Sequence, residues 1–322
     1  MSTPIQLGVV MDPIQTIHTK KDTTFAMLLA AQARGWTLHY FEQRDLFLRD
    51  GEVYGRARLL QVKDDPHDWF LFLGERELPL AELDVILMRK DPPFDLEYIY
   101  TTYMLEHAEA RGTLVVNRCQ SLRDANEKLF ALHFPQCCPP TLVSRERTRL
   151  KAFLQEQGDI VVKPLDGMGG TSVFRLRPDD PNINVVLETL TERDRRQIMA
   201  QRYIPEVVQG GDKRILLIDG EPIPYALARI PAAGETRANL AAGGRGVGVP
   251  LSARDYWICS QVGPTLRDKG LMFVGLDVIG DYLTEVNVTS PTCARELDAQ
   301  FGLDIAGQLM EHIAGRLATL RR

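Results

Sequence analysis

Apolar residues run along this chain in two rhythms, short β-branched stretches and longer helical repeats. Residues 5–10 form an apolar run that ends at Met11-Asp12-Pro13 and reads as a strand. Residues 24–34 carry helical spacing and stop at Gly35, and residues 37–41 read as the next strand. A β-α-β opening of this kind predicts a parallel sheet with a helix across it. Ligands favour the carboxyl ends of such strands. Asp12 sits at one such end, and Arg89, Lys90 and Asp91 follow the apolar run 84–88 at another. Residues 46–73 look like a hairpin excursion turning at Asp50-Gly51. A helix over 97–111 and a strand at 113–116 complete this first unit.

Ser121-Leu-Arg-Asp124 has the form of a capping box with Asp in the place of Glu, and predicts a helix starting there that carries Asn126, Glu127 and Lys128. Pro135, Pro139 and Pro140 then break the chain. A new module is expected, with strands at 141–143, 160–162, 172–176 and 199–204 and a helix at 148–157. Strands at 214–218 and 223–230 meet at the Asp219-Gly220 turn. Residues 231–249 change character. Five glycines, two arginines and little large apolar surface predict a mobile loop, read as a lid rather than a linker. A helix at 252–269, strands at 271–278 and 282–288 and a helix near 305–318 follow.

Composition narrows the class. The 322 residues suggest two or three domains, and 44% hydrophobic with 25% charged residues is ordinary for a globular chain. A net charge of -5 argues against broad nucleic-acid binding. No apolar run approaches the ~20 residues that a membrane helix needs. The opening strand does not read as a signal peptide. Five cysteines at irregular spacing, without C-x-x-C, suggest neither a disulfide framework nor a zinc site. A reducing cytoplasm is the expected compartment.

The most informative stretch is Asp159-Ile-Val-Val-Lys163-Pro-Leu-Asp166-Gly167-Met168-Gly169-Gly170-Thr171-Ser172. Three glycines in four positions let a backbone approach a ligand and expose N–H groups to phosphate oxygens. Lys163 adds a positive charge at the base. The lysine precedes the glycines and a strand follows them, so this is neither the common phosphate loop nor the dinucleotide fingerprint. The plain alternative is a glycine-rich hairpin with a solvated lysine.

A second constellation lies at Asp277 and Glu285-Val-Asn287. Strand side chains alternate faces, so Glu285 and Asn287 point the same way, and Asp277 on the preceding strand can face them. Two carboxylates and an amide oxygen make a hard, oxygen-only set that suits Mg²⁺ beside nucleotide phosphates. Arg214, Arg229, Arg237 and Arg245 form a third group, with guanidinium forks matched to carboxylate or phosphate. Together these parts predict ATP chemistry on a carboxylate.

At this point the chain resembles the bacterial glutathione synthetases of the ATP-grasp superfamily, over nearly its whole length. The resemblance rests on Val10-Met-Asp-Pro13, Lys20-Lys-Asp22, Leu83-Asp-Val-Ile-Leu-Met-Arg-Lys-Asp-Pro-Pro-Phe-Asp95 and Asn126-Glu-Lys-Leu129. It continues through Lys163-Pro-Leu-Asp-Gly-Met-Gly-Gly170, Gly211-Asp-Lys-Arg214, Gly234-Glu-Thr-Arg237 and Thr284-Glu-Val-Asn-Val-Thr-Ser-Pro-Thr292. It implies an α/β chain: a Rossmann-like parallel-sheet domain over 1–125, a lid subdomain over 126–204, and a catalytic subdomain over 205–322 with a flexible loop at 230–249. It also implies ligation of γ-glutamylcysteine and glycine by ATP, with Mg²⁺ or Mn²⁺, through an acyl phosphate, in a cytoplasmic homotetramer.

Carried over by motif, Lys128 and Lys163 hold phosphates and the loop Gly167, Met168, Gly169, Gly170 covers them. Gln201, Tyr203 and Ile204 receive adenine, with Asp212 near the ribose. Asp277, Glu285 and Asn287 ligate the metal. Arg214, Arg229 and Arg237 meet the acyl phosphate or substrate carboxylates. Asn287, Thr289 and Ser290 lie at the peptide's reacting end, and Asp12 and Lys20 are first-domain contacts. The resemblance also implies that closure of the loop shields the acyl phosphate from water. Two alternatives stand beside this reading: an ATP-grasp ligase for another acid, and a nucleotide-binding regulator without turnover.

Overall fold

The computed structural model describes residues 4–232 and 244–320, and three sheets organise them. The first has seven strands, in the order Leu46–Arg49, Glu52–Val62, Thr37–Phe41, Gln6–Val10, Val85–Met88, Leu114–Val116, with Phe70–Pro79 also paired to Glu52–Val62. The four strands from Thr37–Phe41 to Leu114–Val116 are parallel, and the rest join antiparallel. Gln6–Val10 and Val85–Met88 are buried almost throughout, which is why they read as continuous apolar runs. The helix Thr23–Ala33 between the first two strands is N-capped by Asp22, whose carboxylate accepts the Phe25 N–H at 2.6 Å.

The second sheet is antiparallel, in the order Phe174–Leu176, Ile160–Pro164, Ile198–Arg202, Thr141–Ser144. The third is also antiparallel: Arg245–Pro250, Glu221–Ile230, Asp212–Ile218, Phe273–Ile279, Tyr282–Asn287. Their cores differ in how they connect. One buried apolar cluster joins Leu7, Val9 and Phe25 of the first unit to Leu216, Phe273 and Ile305 of the third. Leu150, Leu154, Ile160, Val162, Leu187 and Ile198 form a separate core under the second sheet. A small patch, Tyr203 and Val207 against Val161 and Ile279, links the second sheet to the third.

Several sequence expectations are corrected. Residues 46–79 form three strands, where a simple hairpin was expected. The helix expected to start at Ser121 is Cys119–Asp124, and residues 126–128 lie beyond its end. The Ser121 hydroxyl donates to Lys269 O, so it serves a tertiary contact instead of a cap. The 230–249 loop is shorter than expected at both ends, because Ile230 ends one strand and Arg245–Pro250 forms another. Gly246 and Gly248 there are packing positions: a Cβ on Gly246 would press on Leu227, and one on Gly248 would collide with the Phe301 ring. The helices Ile183–Leu190 and Ala294–Phe301 were not anticipated.

A separate core should open separately. Leu154→Ala removes a buried side chain at a cost of about 2–5 kcal/mol. Amide exchange should then quicken across the second sheet while the strands Gln6–Val10 and Val85–Met88 keep their protection. Equal loss of protection in all three sheets would show a single cooperative core.

Candidate active site

The second and third sheets face each other across a cleft of about 360 Å³. Lys163 and the glycine loop wall it on one side. Arg214, Arg229, Asp277, Glu285 and Asn287 wall it on the other, and Asp91 and Pro92 of the first unit reach its rim.

The glycine loop is built for close approach. Gly169, Gly170 and Ser172 have φ of 62°, 73° and 58°, left-handed positions at which the glycines carry no Cβ penalty. A Cβ on Gly167 would sit 3.0 Å from Pro164 Cγ and 3.3 Å from Thr171 O. Below the loop, Lys163 and Lys128 are both buried and both aim at Glu285, Nζ to Oε1 at 3.2 and 3.6 Å. Lys128 Nζ also donates to Gly167 O at 2.6 Å. Burial penalises the Glu285 charge, but the two ammonium groups outweigh it and hold the carboxyl below its usual range. Two cations share one anion, which leaves a net positive corner suited to phosphate.

The third sheet sets out the arginines by register. Arg214 lies opposite Asp277 and Asp212 opposite Arg229 on adjacent strands. Arg214 Nε donates to Asp277 Oδ1 at 2.5 Å and its Nη2 to Oδ2 at 3.1 Å. Arg229 Nη2 lies 2.9 Å from Asp277 Oδ2 and 2.6 Å from Asp212 Oδ2. Gly275 makes this possible, since a Cβ there would sit 2.7 Å from Arg214 Cδ. Burial disfavours the Asp277 charge, yet Arg214 and Arg229 prevail and hold its pKa well below the ordinary carboxylate value. Burial pushes Asp212 the other way, up to about 6, with Arg229 opposing and Asp277 reinforcing the rise. Asp212 Oδ1 is buried and has no hydrogen-bond partner among the described residues.

The three oxygen-bearing side chains Asp277, Glu285 and Asn287 lie on the two neighbouring strands Phe273–Ile279 and Tyr282–Asn287. Glu285 pairs with Asp277 across the strands and shares a face with Asn287, as the alternation predicts. Asn287 Nδ2 donates to Gly275 O at 3.2 Å, which leaves its oxygen as the open end. Asp277 already gives both oxygens to arginines. Among the described residues no three His, Cys, Asp or Glu side chains gather as a metal site. The oxygen donors fit a hard cation that takes its remaining ligands from phosphate and water.

The other end of the cleft is apolar. Tyr203 and Ile204 are buried, and Val161, Val207 and Ile279 line the same slot. The Arg175 guanidinium lies 3.6 Å from the Tyr203 ring centroid and is held by Asp159 at 2.6 Å. Gln201 is buried and donates to Thr141 Oγ1 at 3.2 Å. An apolar slot of this kind suits a purine base.

Among the remaining expected residues, Thr289 and Ser290 line the cleft. Asp12 does not; it shapes the rim by accepting the Asp91 N–H at 2.9 Å and pairing with Lys90 at 2.8 Å. Lys20 is exposed and outside the cleft lining. Arg237 and most of the expected loop lie outside the described residues. Sequence reasoning did not assign roles to Glu127 or Arg89. Arg89 is buried and bonds Thr24 Oγ1 and Pro291 O, each at 3.0 Å, so it pins the 289–293 turn to the first unit. Its place after a parallel strand was the available signal; Glu127 had none beyond its neighbour Lys128.

A carboxyl titrating near 6 beside two arginines has a kinetic signature. As pH falls through about 6, Asp212 gains a proton and Arg229 loses a charge partner, so kcat/KM should fall on that limb. Asp212→Asn should abolish the inflection. A wild-type profile flat from pH 5 to 8 would contradict the assignment.

The comparisons with known proteins agree along nearly the whole chain. Residues 5–123 match the family model for the prokaryotic glutathione synthetase N-terminal domain, and residues 127–302 match that for its ATP-grasp domain. The glutathione synthetase of Pseudomonas syringae pv. tomato is 63% identical over 97% of this chain and 98% of its own. That of Escherichia coli is 60% identical over 97% and 99%. Among solved structures, the D-cycloserine synthetase DcsG has a TM-score of 0.67 over 97% of this chain and 99% of its own, at 14% identity. The ATP-grasp ligase PsnB, complexed with minimal precursor, Mg and ADP, has a TM-score of 0.62 over 97% and 98%, at 16% identity. These two similarities establish the ATP-grasp fold alone. On the family models and the near-full-length relatives, this chain belongs to the prokaryotic glutathione synthetase family.

Proposed function

We propose that the chain ligates γ-glutamylcysteine and glycine at the expense of ATP, giving glutathione, ADP and phosphate. The observation that carries this reading is the convergence of Lys163, Glu285, Arg214 and Arg229 on one cleft, with Lys128 reaching Glu285 from beneath the glycine loop, in a chain about 60% identical to glutathione synthetases.

The chemistry follows from what each side chain can hold. A carboxylate oxygen of the dipeptide attacks the γ-phosphorus, and ADP leaves. The amine of glycine then attacks the acyl phosphate carbon, phosphate leaves, and the amine loses a proton. Lys163 and Lys128 carry phosphate charge under the glycine loop. The slot of Tyr203, Ile204 and Val161 takes the base, and Asp212 Oδ1 offers an acceptor to the sugar. Glu285 and Asn287 hold the divalent cation, Mg²⁺ or Mn²⁺, with Asp277 beside them. That cation supplies Lewis-acid charge neutralisation at the phosphates when bound. Arg214 and Arg229 meet the acyl phosphate, which puts positive charge where negative charge develops. Thr289 and Ser290 position the peptide's reacting end, with Asp12 supporting the rim. Arg237 acts with its loop to keep water from the acyl phosphate.

Within this reading residues 1–125 serve the substrate, 126–204 act as the lid and 205–322 as the catalytic platform. The active form is a homotetramer in the cytoplasm. No helix of the described residues is long and apolar enough to cross a membrane.

The deciding experiment is phosphate release from ATP. It should require γ-glutamylcysteine, and peptide product should require glycine as well. Release that ignores the dipeptide would defeat the reading. Glu285→Gln should keep the fold, raise the Mg²⁺ needed for half-maximal turnover, and lower kcat by about 10–100-fold or more. Unaltered kinetics at limiting Mg²⁺ would remove Glu285 from the metal site.

A further inference from the structure

Residues 126–128 follow the end of the helix Cys119–Asp124 and reach two walls of the cleft. Asn126 Nδ2 donates to Leu165 O at 3.1 Å, and Lys128 Nζ donates to Gly167 O at 2.6 Å. Both hold the glycine loop. Glu127 grips the opposite wall. Its Oε1 accepts from Val288 N at 3.0 Å, Thr289 N at 3.2 Å and Thr289 Oγ1 at 2.8 Å. Its backbone carbonyl accepts from Val286 N at 2.8 Å. These four bonds bracket Asn287 on both sides.

We propose that Glu127 is a positioning residue: it fixes the strand end 286–289 so that Glu285 and Asn287 present their oxygens to the divalent cation. The inference rests on the metal reading given above. Through Asn126 and Lys128, the same three residues tie that strand end to the glycine loop.

The need for such a brace is visible in the sheet. Tyr282–Asn287 is an edge strand with one strand partner, and its ladder ends at the Gly275–Asn287 pair. Beyond that pair the Val288 and Thr289 N–H groups have no strand to bond. Both residues are buried, so unbonded donors there would be costly. One carboxylate oxygen satisfies both and the Thr289 hydroxyl as well. Glu127 Oε2 has no hydrogen-bond partner among the described residues. What the strand end requires is an acceptor oxygen at the right reach, and glutamine supplies that too. Outer-shell partners of metal ligands change metal affinity or activity by about 10–100-fold when removed.

The test compares Glu127→Ala, Glu127→Asp and Glu127→Gln in the full-length protein. Two readouts avoid turnover: Mn²⁺ affinity in the presence of ADP, followed by electron paramagnetic resonance, and exchange of the Val288 and Thr289 amides without metal. Ala should weaken Mn²⁺ binding at least about tenfold and speed both amides by a similar factor. ADP affinity without metal should stay at the wild-type value. Asp, one methylene short, should fall between, and Gln should restore both readouts. If Ala fails to fold, Asp against Gln decides the matter. Loss with Gln equal to that with Ala or Asp would overturn the inference, and so would wild-type Mn²⁺ affinity in Ala or Asp. Failure of the metal reading itself looks different: Glu285→Gln would then leave Mn²⁺ affinity untouched.

Discussion

The cleft depends on one ion pair, Lys163 to Glu285 at 3.2 Å, which joins the second sheet to the third. Both side chains are largely sheltered, and a sheltered charge is costly unless partnered. In the structure each group satisfies the other. On the proposed function, phosphate would take the lysine and the divalent cation would take the carboxylate. Ligand binding would then exchange one counter-charge for another instead of burying new charge. The buried square of Arg214, Asp277, Arg229 and Asp212 follows the same logic, with two cations and two anions in mutual contact.

Such an exchange needs walls that can part and others that cannot. The first and third units share a buried core, so Asp91, Pro92 and the 289–293 turn are fixed relative to Arg214 and Glu285. The second sheet keeps its own core and meets the third through the small patch at Tyr203. Lys163 and the glycine loop therefore ride on the piece with its own core, and Arg214, Arg229, Thr289 and Ser290 ride on the piece that shares a core with the first unit. Residues 126–128 lie between the two and bond to both.

Much of this was legible in the sequence, for reasons that are themselves physical. Strand alternation placed Glu285 and Asn287 together because the pleat has a fixed period of two. The glycine loop was legible because three glycines in four positions have few uses other than close backbone approach. The helix near 121 was displaced because the capping pattern cannot show that the Ser121 hydroxyl is spent on Lys269 O. The strand Arg245–Pro250 was missed because its glycines read as flexibility, while Phe301 and Leu227 require them for packing. Glu127 escaped because its partners at 288–289 are about 160 positions away, |i−j| of 161 and 162, and no local spacing encodes that contact.

The most direct measurement is a crystal structure of the protein with ADP and Mg²⁺ bound. The account predicts that Lys163 Nζ leaves Glu285 for a phosphate oxygen and that Glu285 and Asn287 coordinate the cation. ADP in the cleft with the Lys163–Glu285 pair intact and the cation held elsewhere would contradict it.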